Sequence, residues 1–127
     1  MTFQEAVKDG FAKYADFSGR SSRSGYWYWY LFEILAFLTA SLVDGILGTG
    51  PILVLIGALA IVLPSIAVAI RRLHDIGRSG WWLLISLVPL IGLIVLLVFY
   101  LTASDGPNEY GDAPDGGPAA PAPPATY

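Results

Sequence analysis

The sequence contains no cysteine, one histidine and one methionine. Without cysteine the chain has no disulfide bond, no thiolate nucleophile and no cysteine-ligated metal site. Its single histidine, His74, has no second histidine or cysteine to complete a zinc site, so we expect neither a metal nor another cofactor. Charged residues make up only 13% of the chain, whereas an ordinary soluble domain holds about 25%. This shortage of charge argues against a soluble globular domain.

The uncharged residues form long apolar runs. Residues 52–70 and 81–104 contain no charged side chain, and apolar residues make up 55% of the chain. A bilayer core about 30 Å thick is crossed by about 20 apolar helical residues. We therefore predict an all-α membrane protein with three transmembrane helices, at about 26–47, 52–70 and 81–103. Pro89 and Gly92 interrupt the third segment, so it is either one kinked span or a re-entrant hairpin.

The two ends of the chain differ in composition. Near the N-terminus, Thr2 and Glu5 fit a capping box, and apolar residues then recur at helical spacing, which predicts an amphipathic helix at about 3–14. That helix either lies on the membrane surface or packs on its own bundle. The membrane domain should comprise residues 1–104. Residues 105–127 are rich in proline, glycine and alanine, which predicts a disordered tail, above all at 118–126.

The distribution of charge indicates orientation. All seven Lys and Arg lie in residues 1–24 and 71–80, whereas the chain after Leu101 has four acids and no base. Because basic loops stay in the cytoplasm, we expect a cytoplasmic N-terminus and a tail on the outer side. A hairpin in the third segment would place the tail inside instead. This segregation of charge argues for topology and against nucleic-acid binding. Aromatic side chains should anchor the spans at the headgroup boundary: Tyr26, Trp27, Trp29, Trp81 and Trp82.

Two acids lie within the first predicted span. Glu33 and Asp44 share a stripe with small residues, and such a stripe faces a neighbouring helix. Glu33 lies roughly 10 Å below the interface. Because Arg71 ends a similar stripe on the second span, we predict a Glu33–Arg71 ion pair. The alternative is that Glu33 is protonated, or hydrogen-bonded to a tyrosine, and only locks helix packing. Asp44 lies near the outer boundary, where we expect it to be solvated.

The two basic connections resemble one another. Residues 16–27, DFSGRSSRSGYW, and residues 75–82, DIGRSGWW, both give Asp, Gly-Arg-Ser, and Ser-Gly before an aromatic residue and Trp. Turn amides, a helix N-terminus and arginine suit a phosphate, and at this depth the phosphate of an anionic lipid is the natural ligand. Plain anchoring at the boundary is the alternative. The predicted ligand-binding arginines, with Asp16 and Asp75 to orient them, are Arg20, Arg23, Arg71, Arg72 and Arg78.

Two further blocks complete a family resemblance. Residues 71–82, RRLHDIGRSGWW, form its most specific part, alongside residues 16–23, DFSGRSSR, with Tyr26 and Trp27. PLIG at 89–92 and NEYGDAP at 108–114 follow. From about Phe11 to Pro114 the chain resembles the domain of unknown function 805 family of small bacterial inner membrane proteins. The resemblance implies a bacterial inner membrane location and a helix count, and it supplies no activity.

These features favour a non-enzymatic membrane component whose basic cytoplasmic loops contact anionic lipid or a partner protein. The alternative is a subunit of a homo-oligomeric transporter or channel that uses Glu33, since three helices do not enclose a pore. An intramembrane enzyme with His74 and Asp75 as acid–base groups ranks last, because no nucleophile motif accompanies them. A histidine of this kind is more often a packing residue.

Overall fold

The computed structural model describes residues 2–112, and every regular element in that range is helical. An isolated bridge joins Asn108 to Gly111. The predicted all-α class is therefore confirmed for the described chain. The elements in order are α1 (Phe3–Ala12), α2 (Arg23–Leu47), α3 (Ile52–Asp75), a 3-10 helix (Gly80–Leu87) and α4 (Ile91–Leu101).

The two long helices, α2 and α3, correspond to the first two predicted spans. They have 25 and 24 residues, or about 36 Å each, and both are long and apolar enough to cross a membrane. The Ser22 hydroxyl begins α2 by accepting a hydrogen bond from the Gly25 amide at 3.0 Å. Gly48 ends α2 in left-handed backbone, with φ at 68°. The helices extend beyond the predicted bounds, since α2 begins at Arg23 and α3 continues to Asp75.

Apolar side chains cover the outside of both long helices. Leu42 on α2 and Leu59 on α3 are 65% and 75% exposed. Buried residues such as Trp29, Ala67 and Leu73 gather instead in the halves where α2 begins and α3 ends. Water-soluble monomers rarely expose apolar surface on this scale. The distribution fits two helices surrounded by lipid and packed most tightly at one end.

The third hydrophobic segment forms a hairpin rather than a single kinked helix at about 81–103, so the second of the two forms predicted for it is the one found. The 3-10 helix runs to Leu87 and α4 begins at Ile91. The two arms run back to back, because the rings of Trp82 near the start of the first arm and Phe99 near the end of the second are 5.4 Å apart. Each arm is about 16 Å long, which is about half the thickness of a bilayer core.

Two residues near the hairpin tip explain the reversal. The Ile91 amide donates to the Pro89 carbonyl at 2.7 Å across Leu90, whose φ is 67°, and this is the geometry of a γ-turn. At Gly92 a Cβ atom would lie only 1.9 Å from the carbonyl oxygen of Ile85. The arms therefore approach each other so closely that only glycine fits at this position.

Helix α1 packs on the bundle. The predicted capping box is present, because the Thr2 side chain accepts from the Glu5 amide and the Glu5 carboxylate accepts from the Thr2 amide. A Cβ atom at Gly10 would lie 2.3 Å from the Trp29 ring, and the Phe11 and Trp29 rings are 5.2 Å apart. Of the two interpretations of this helix, packing on its own bundle is confirmed, and contact with the membrane surface stays a prediction.

Residues 105–112 fold back on the end of α3. The Asp105 amide donates to the Asp75 carbonyl at 2.9 Å, and the Asn108 side-chain amide donates to the His74 carbonyl at 3.0 Å. The prediction of a disordered tail from residue 105 is therefore wrong for residues 105–112, because the Asp105 amide and the Asn108 side chain bind them to the last carbonyls of α3. The predicted disorder at 118–126 lies outside the described residues.

Candidate functional site

A buried cluster of three charged side chains joins the ends of the helices. We call Arg20, Arg72 and Asp75 the arginine–aspartate cluster. The Nε and Nη2 groups of Arg20 donate to one Asp75 carboxylate oxygen at 3.1 and 2.9 Å, and Nη1 of Arg72 donates to the other at 2.6 Å. The Ser104 hydroxyl also donates to this carboxylate. The side chains of Arg20 and Asp75 are 2% and 0% exposed, so the cluster is closed to solvent.

Arg20 is the centre of a web of backbone contacts. Its Nη1 group donates to the carbonyls of Gly106 and Gly111 at 2.8 and 2.9 Å, and its Nη2 group donates to the carbonyl of Asp105 at 2.7 Å. Every nitrogen of the guanidinium is therefore bonded to protein. A guanidinium satisfied in this way holds the segment 105–112 in place and has no donor left for a phosphate.

The neighbouring Arg71 and Arg72 close the C-terminal ends of two different helices. Arg71 donates to the carbonyls of Lys13 and Asp16, just beyond α1, at 3.1 and 2.8 Å. Arg72 donates to the Tyr100 carbonyl at the end of α4 at 3.0 Å and to the Thr102 carbonyl. Successive residues of a helix point about 100° apart, so the pair reaches two neighbours. Both arginines supply positive charge where helix carbonyls lack partners.

His74 and Asp16 have structural contacts of their own. The Gly19 carbonyl accepts a hydrogen bond from His74 Nδ1 at 2.9 Å. The Tyr110 ring stacks on the imidazole, with ring centres 3.9 Å apart. These contacts are those of a packing histidine. The Asp16 carboxylate accepts from the Ser18 hydroxyl and amide at 2.7 and 2.9 Å, which lowers the pKa of Asp16 below its usual range. The Asp75 carboxylate binds Arg20 and Arg72, two of the predicted arginines, whereas the Asp16 carboxylate caps a turn.

Three of the five arginines predicted to bind phosphate are therefore unavailable, because Arg20, Arg71 and Arg72 are buried and bonded to protein. Arg23 and Arg78 are exposed. Arg23 donates to the Leu101 carbonyl at 3.2 Å, and the Arg78 guanidinium lies 5.0 Å from the centre of the Phe99 ring. Both side chains border the C-terminal end of α4. We call Arg23 and Arg78 the cationic rim.

The predicted Glu33–Arg71 ion pair is wrong. The Ser65 hydroxyl donates to Glu33, and Trp29 Nε1 donates to that hydroxyl at 3.1 Å. Ser65 lies six positions before Arg71, about 9 Å along α3, and Arg71 points to α1, where Asp9 lies 3.9 Å from its Nη2 atom. The Arg71 Nε and Nη2 atoms have no hydrogen-bond partner among the described residues. The acid therefore locks α2 to α3 through a serine.

Asp44 is buried, so the prediction that it is solvated is wrong. Its two carboxylate oxygens accept from the Leu53 and Val54 amides at 3.0 and 3.1 Å, and the Thr49 hydroxyl donates to it at 2.6 Å. Pro51 precedes α3 and provides no side-chain cap. Asp44 reaches across the turn and caps the first amides of α3 in its place.

The aromatic residues at the start of α2 differ in their surroundings. Trp29 is 1% exposed and packs inside the protein, so its predicted role as an interface anchor is wrong. Tyr26 stacks on Tyr100 with ring centres 4.3 Å apart, and Trp27 donates to the Tyr100 carbonyl at 3.0 Å. Trp81, in contrast, is 78% exposed, as an anchor requires.

The comparisons with known proteins bear on the same residues. The model of the family described as "Protein of unknown function (DUF805)" matches residues 14–112. The chain belongs to this DUF805 family. The matched range begins beyond α1 and includes the whole arginine–aspartate cluster, the hairpin and the packed segment 105–112. No solved structure matches the chain.

Two relatives from Escherichia coli strain K12 are named as inner membrane proteins. The inner membrane protein YhaI is 45% identical over 103 residues, which are 80% of this chain and 87% of the relative. The inner membrane protein YhaH is 38% identical over 107 residues, which are 80% of this chain and 88% of the relative. Both names state a location and no activity. With its long apolar helices, this DUF805 chain is an inner membrane protein.

Several contact residues of the site escaped the sequence analysis. Ser65 and Tyr110 were not predicted, although each contacts a predicted site residue. Ser65 donates a hydrogen bond to Glu33, and the Tyr110 ring stacks on His74. A serine inside an apolar helix is itself a signal, because its hydroxyl needs a partner in lipid. Within residues 2–112 no three His, Cys, Asp or Glu side chains are grouped to hold a metal ion.

Proposed function

We propose that this DUF805 protein is a non-enzymatic component of the inner membrane that binds anionic lipid headgroups through its cationic rim. The observation that carries the proposal is the contrast among the arginines. Arg20, Arg71 and Arg72 are buried inside the protein, whereas Arg23 and Arg78 are exposed at the same end of the molecule. An exposed guanidinium at headgroup depth suits a phosphate, since its planar fork can donate two hydrogen bonds at once.

The topology we propose has two spans and a re-entrant hairpin. The hairpin returns the chain to its own starting side, because Arg72 at the end of α3 bonds Tyr100 at the end of α4. By the positive-inside rule the basic segments 1–24 and 71–80 then lie in the cytoplasm. The segment 105–112 joins them there, and α1 lies at the cytoplasmic boundary. This arrangement replaces our expectation of a tail on the outer side.

The rim has the surroundings of a headgroup site. Arg78 lies over the rings of Trp82 and Phe99, at 5.3 and 5.0 Å, which orients its guanidinium. Tryptophan favours the boundary between acyl chains and headgroups. The negative surface potential of a cytoplasmic leaflet attracts each exposed arginine by about 1 kcal/mol. A partner protein with an acidic surface is the competing ligand for the same two side chains.

The test is native mass spectrometry of the full chain released from nanodiscs that contain equal amounts of phosphatidylglycerol and phosphatidylcholine. The double variant Arg23→Ala/Arg78→Ala loses about 1 kcal/mol of charge-assisted hydrogen bonding to phosphate at each guanidinium, so it should retain about thirtyfold less phosphatidylglycerol, with phosphatidylcholine unchanged. The matched control is Lys8→Ala/Lys13→Ala, which removes two exposed charges on or just after α1. It weakens only the general attraction of the leaflet, which holds no individual headgroup, so its loss of phosphatidylglycerol should be much smaller. Equal loss in both double variants, or none in the first, would contradict a headgroup site at the rim.

A second candidate function is a homo-oligomeric transporter or channel subunit that uses Glu33. One observation favours it: Glu33 lines an open groove between α2 and α3, and intramembrane acids that face a cavity often mark ion pathways. An oligomer in nanodiscs with a cation flux abolished by Glu33→Gln would support this function. A monomer without Glu33-dependent flux would count against it.

A further inference from the structure

An apolar groove runs along the seam between α2 and α3. Its volume is about 350 Å³, and all ten of its lining residues lie on these two helices. Small residues open it, since Ala36 and Ala40 face Gly57 and Ala58 across the seam. A Cβ atom at Gly57 would meet nothing within 4 Å. The volume is in the range of small-molecule sites.

Glu33 is the one charged side chain among the residues that line the groove. Hydrogen bonds hold this side chain in position. Ser65 donates to the Oε1 atom of Glu33, and the buried Trp29 donates to Ser65 at 3.1 Å. This chain of contacts engages one carboxylate oxygen. It leaves the carboxylate at a defined place on the groove wall, beside Tyr30.

Glu33 has no cation of its own. Among the described residues it forms no salt bridge, whereas Asp9 and Asp75 each pair with an arginine. Asp44, the other acid of α2, is satisfied by amides of α3. An acid at membrane depth normally faces a partner of opposite charge or water. Glu33 faces apolar residues and an open groove, so the missing partner fits a ligand that is cationic at one end and apolar along the rest.

We propose that the groove binds a hydrophobic cation of the alkylammonium class. Its ammonium group pairs with the Glu33 carboxylate, and the face of Tyr30 adds a favourable surface for a quaternary nitrogen. Its chain extends along Phe37 and Ala40, a stretch of α2 about 10 Å long measured from Glu33. Charge complementarity selects this occupant over an anionic lipid, which the carboxylate repels. The proposal is independent of the cationic rim.

The test uses the full chain in phosphatidylcholine nanodiscs and decyltrimethylammonium as the probe. Binding is measured by equilibrium uptake of labelled probe, with empty nanodiscs subtracted for partition into lipid. We expect saturable uptake of about one probe per chain, undiminished by decyl sulfate, which has the same tail and the opposite charge. Competition by decyl sulfate as strong as that by unlabelled probe would overturn the proposal.

Two variants test separately the carboxylate of Glu33 and the open volume of the groove. Glu33→Gln keeps the size and the contact with Ser65 and should weaken binding at least about tenfold. Gly57→Leu leaves Glu33 unchanged and fills the groove, so it should abolish saturable uptake even if Glu33→Gln folds poorly. The matched control is Glu109→Gln, which removes an exposed acid outside the groove and should bind like the parent.

Three outcomes count against the proposal. Unchanged binding by Glu33→Gln would show that the carboxylate does not recognise the cation. Unchanged binding by Gly57→Leu would show that the probe binds elsewhere. A probe-free dimer in native mass spectra that Gly57→Leu dissociates, together with absent probe uptake by the parent, would show that a second copy of the chain fills the groove.

Discussion

Arg20 and Asp75 are 55 residues apart in the chain, and two guanidinium nitrogens of Arg20 donate to one carboxylate oxygen of Asp75. The two residues come from different copies of the repeated Asp/Gly-Arg-Ser pattern, so the pair cross-links the copies. Arg72 binds the other oxygen. The repeat therefore joins the loop before α2, the end of α3 and the segment 105–112.

The first prediction concerns the stability that this cluster provides. Asp75→Asn would leave Arg20 and Arg72 buried without a carboxylate, and an uncompensated buried charge costs about 3–5 kcal/mol. We expect the free energy of unfolding in detergent micelles to fall by that amount. Hydrogen exchange of residues 105–112 should accelerate, because Arg20 would lose the group that orients it.

The matched control is Asp112→Asn, at an exposed position. It makes the same chemical change, and we expect the free energy of unfolding to stay within about 0.5 kcal/mol of the parent. If both variants were equally stable, the cluster would be an accessory contact and the order of residues 105–112 would need another cause.

A second prediction concerns the crossing of the hairpin arms. Gly92→Ala places a methyl group against the backbone of Ile85. Backbone cannot move aside as the end of a flexible side chain can, so the arms would have to separate. We expect the free energy of unfolding to fall by about 1–3 kcal/mol. Gly57→Ala is the matched control, because its methyl group meets open space and alanine favours a helix by about 0.5–1 kcal/mol over glycine. Greater stability in both variants would contradict the close approach of the arms.

Local patterns in the sequence were sufficient to predict α1, α2 and α3. The lengths of α2 and α3 follow from apolar runs, and the start of α1 follows from Thr2 and Glu5. The third segment differs, because Pro89 and Gly92 are compatible with a kink as well as a hairpin. Which of the two forms the chain adopts depends on the close approach of Gly92 to the backbone of Ile85. No local sequence pattern predicts that contact.

The site was harder to predict, because its partners come from distant elements. Arg71 is buried in the bundle, but it binds backbone carbonyls rather than the predicted partner Glu33. Carbonyls at helix ends are acceptors in every sequence, so composition does not reveal which arginine they bind. The capping role of Asp44 had a signal in the sequence, since Pro51, the residue before α3, has no side chain that can cap the helix.

The third prediction is a dependence on pH at the Asp16 turn. Hydrogen bonds from Ser18 lower the pKa of Asp16, so the charged form is favoured in the folded state. The stability that Asp16 provides is then fully present above its unfolded pKa, about 3.9, and is lost as the pH falls through the lower folded pKa. Ser18→Ala removes the hydroxyl donor and should raise the pKa of Asp16 towards its ordinary value.

This shift is measured by carbon NMR of the Asp16 carboxyl during an acid titration in micelles. The Ser18 amide still donates in the Ser18→Ala variant, so we expect a partial rather than a complete return of the pKa. Thr2→Ala, which alters the cap of α1 instead, is the control and should leave the titration of Asp16 unmoved. Identical titration curves for Ser18→Ala and the parent would show that the hydroxyl contact does not persist in solution.

The fourth prediction is the sidedness of the hairpin. Because the chain has no cysteine, single cysteines introduced at exposed positions report which side of the membrane they face. We expect Glu109→Cys and Lys8→Cys to react with a membrane-impermeant maleimide only in inside-out vesicles. Pro51→Cys, in the turn between α2 and α3, should react only in intact spheroplasts, since one span separates it from the other two positions.

Two of the three positions serve as controls for the result at Glu109. Lys8→Cys and Pro51→Cys establish that each vesicle preparation is sealed and oriented, and Glu109→Cys then distinguishes the two arrangements. A third complete span would carry Glu109 to the side of Pro51, whereas the hairpin leaves it beside Lys8. The contact between Asp105 and Asp75 requires the second arrangement, because its atoms cannot meet across a bilayer. Reaction of Glu109→Cys in intact spheroplasts would therefore contradict both the hairpin and the packing of residues 105–112 on the end of α3.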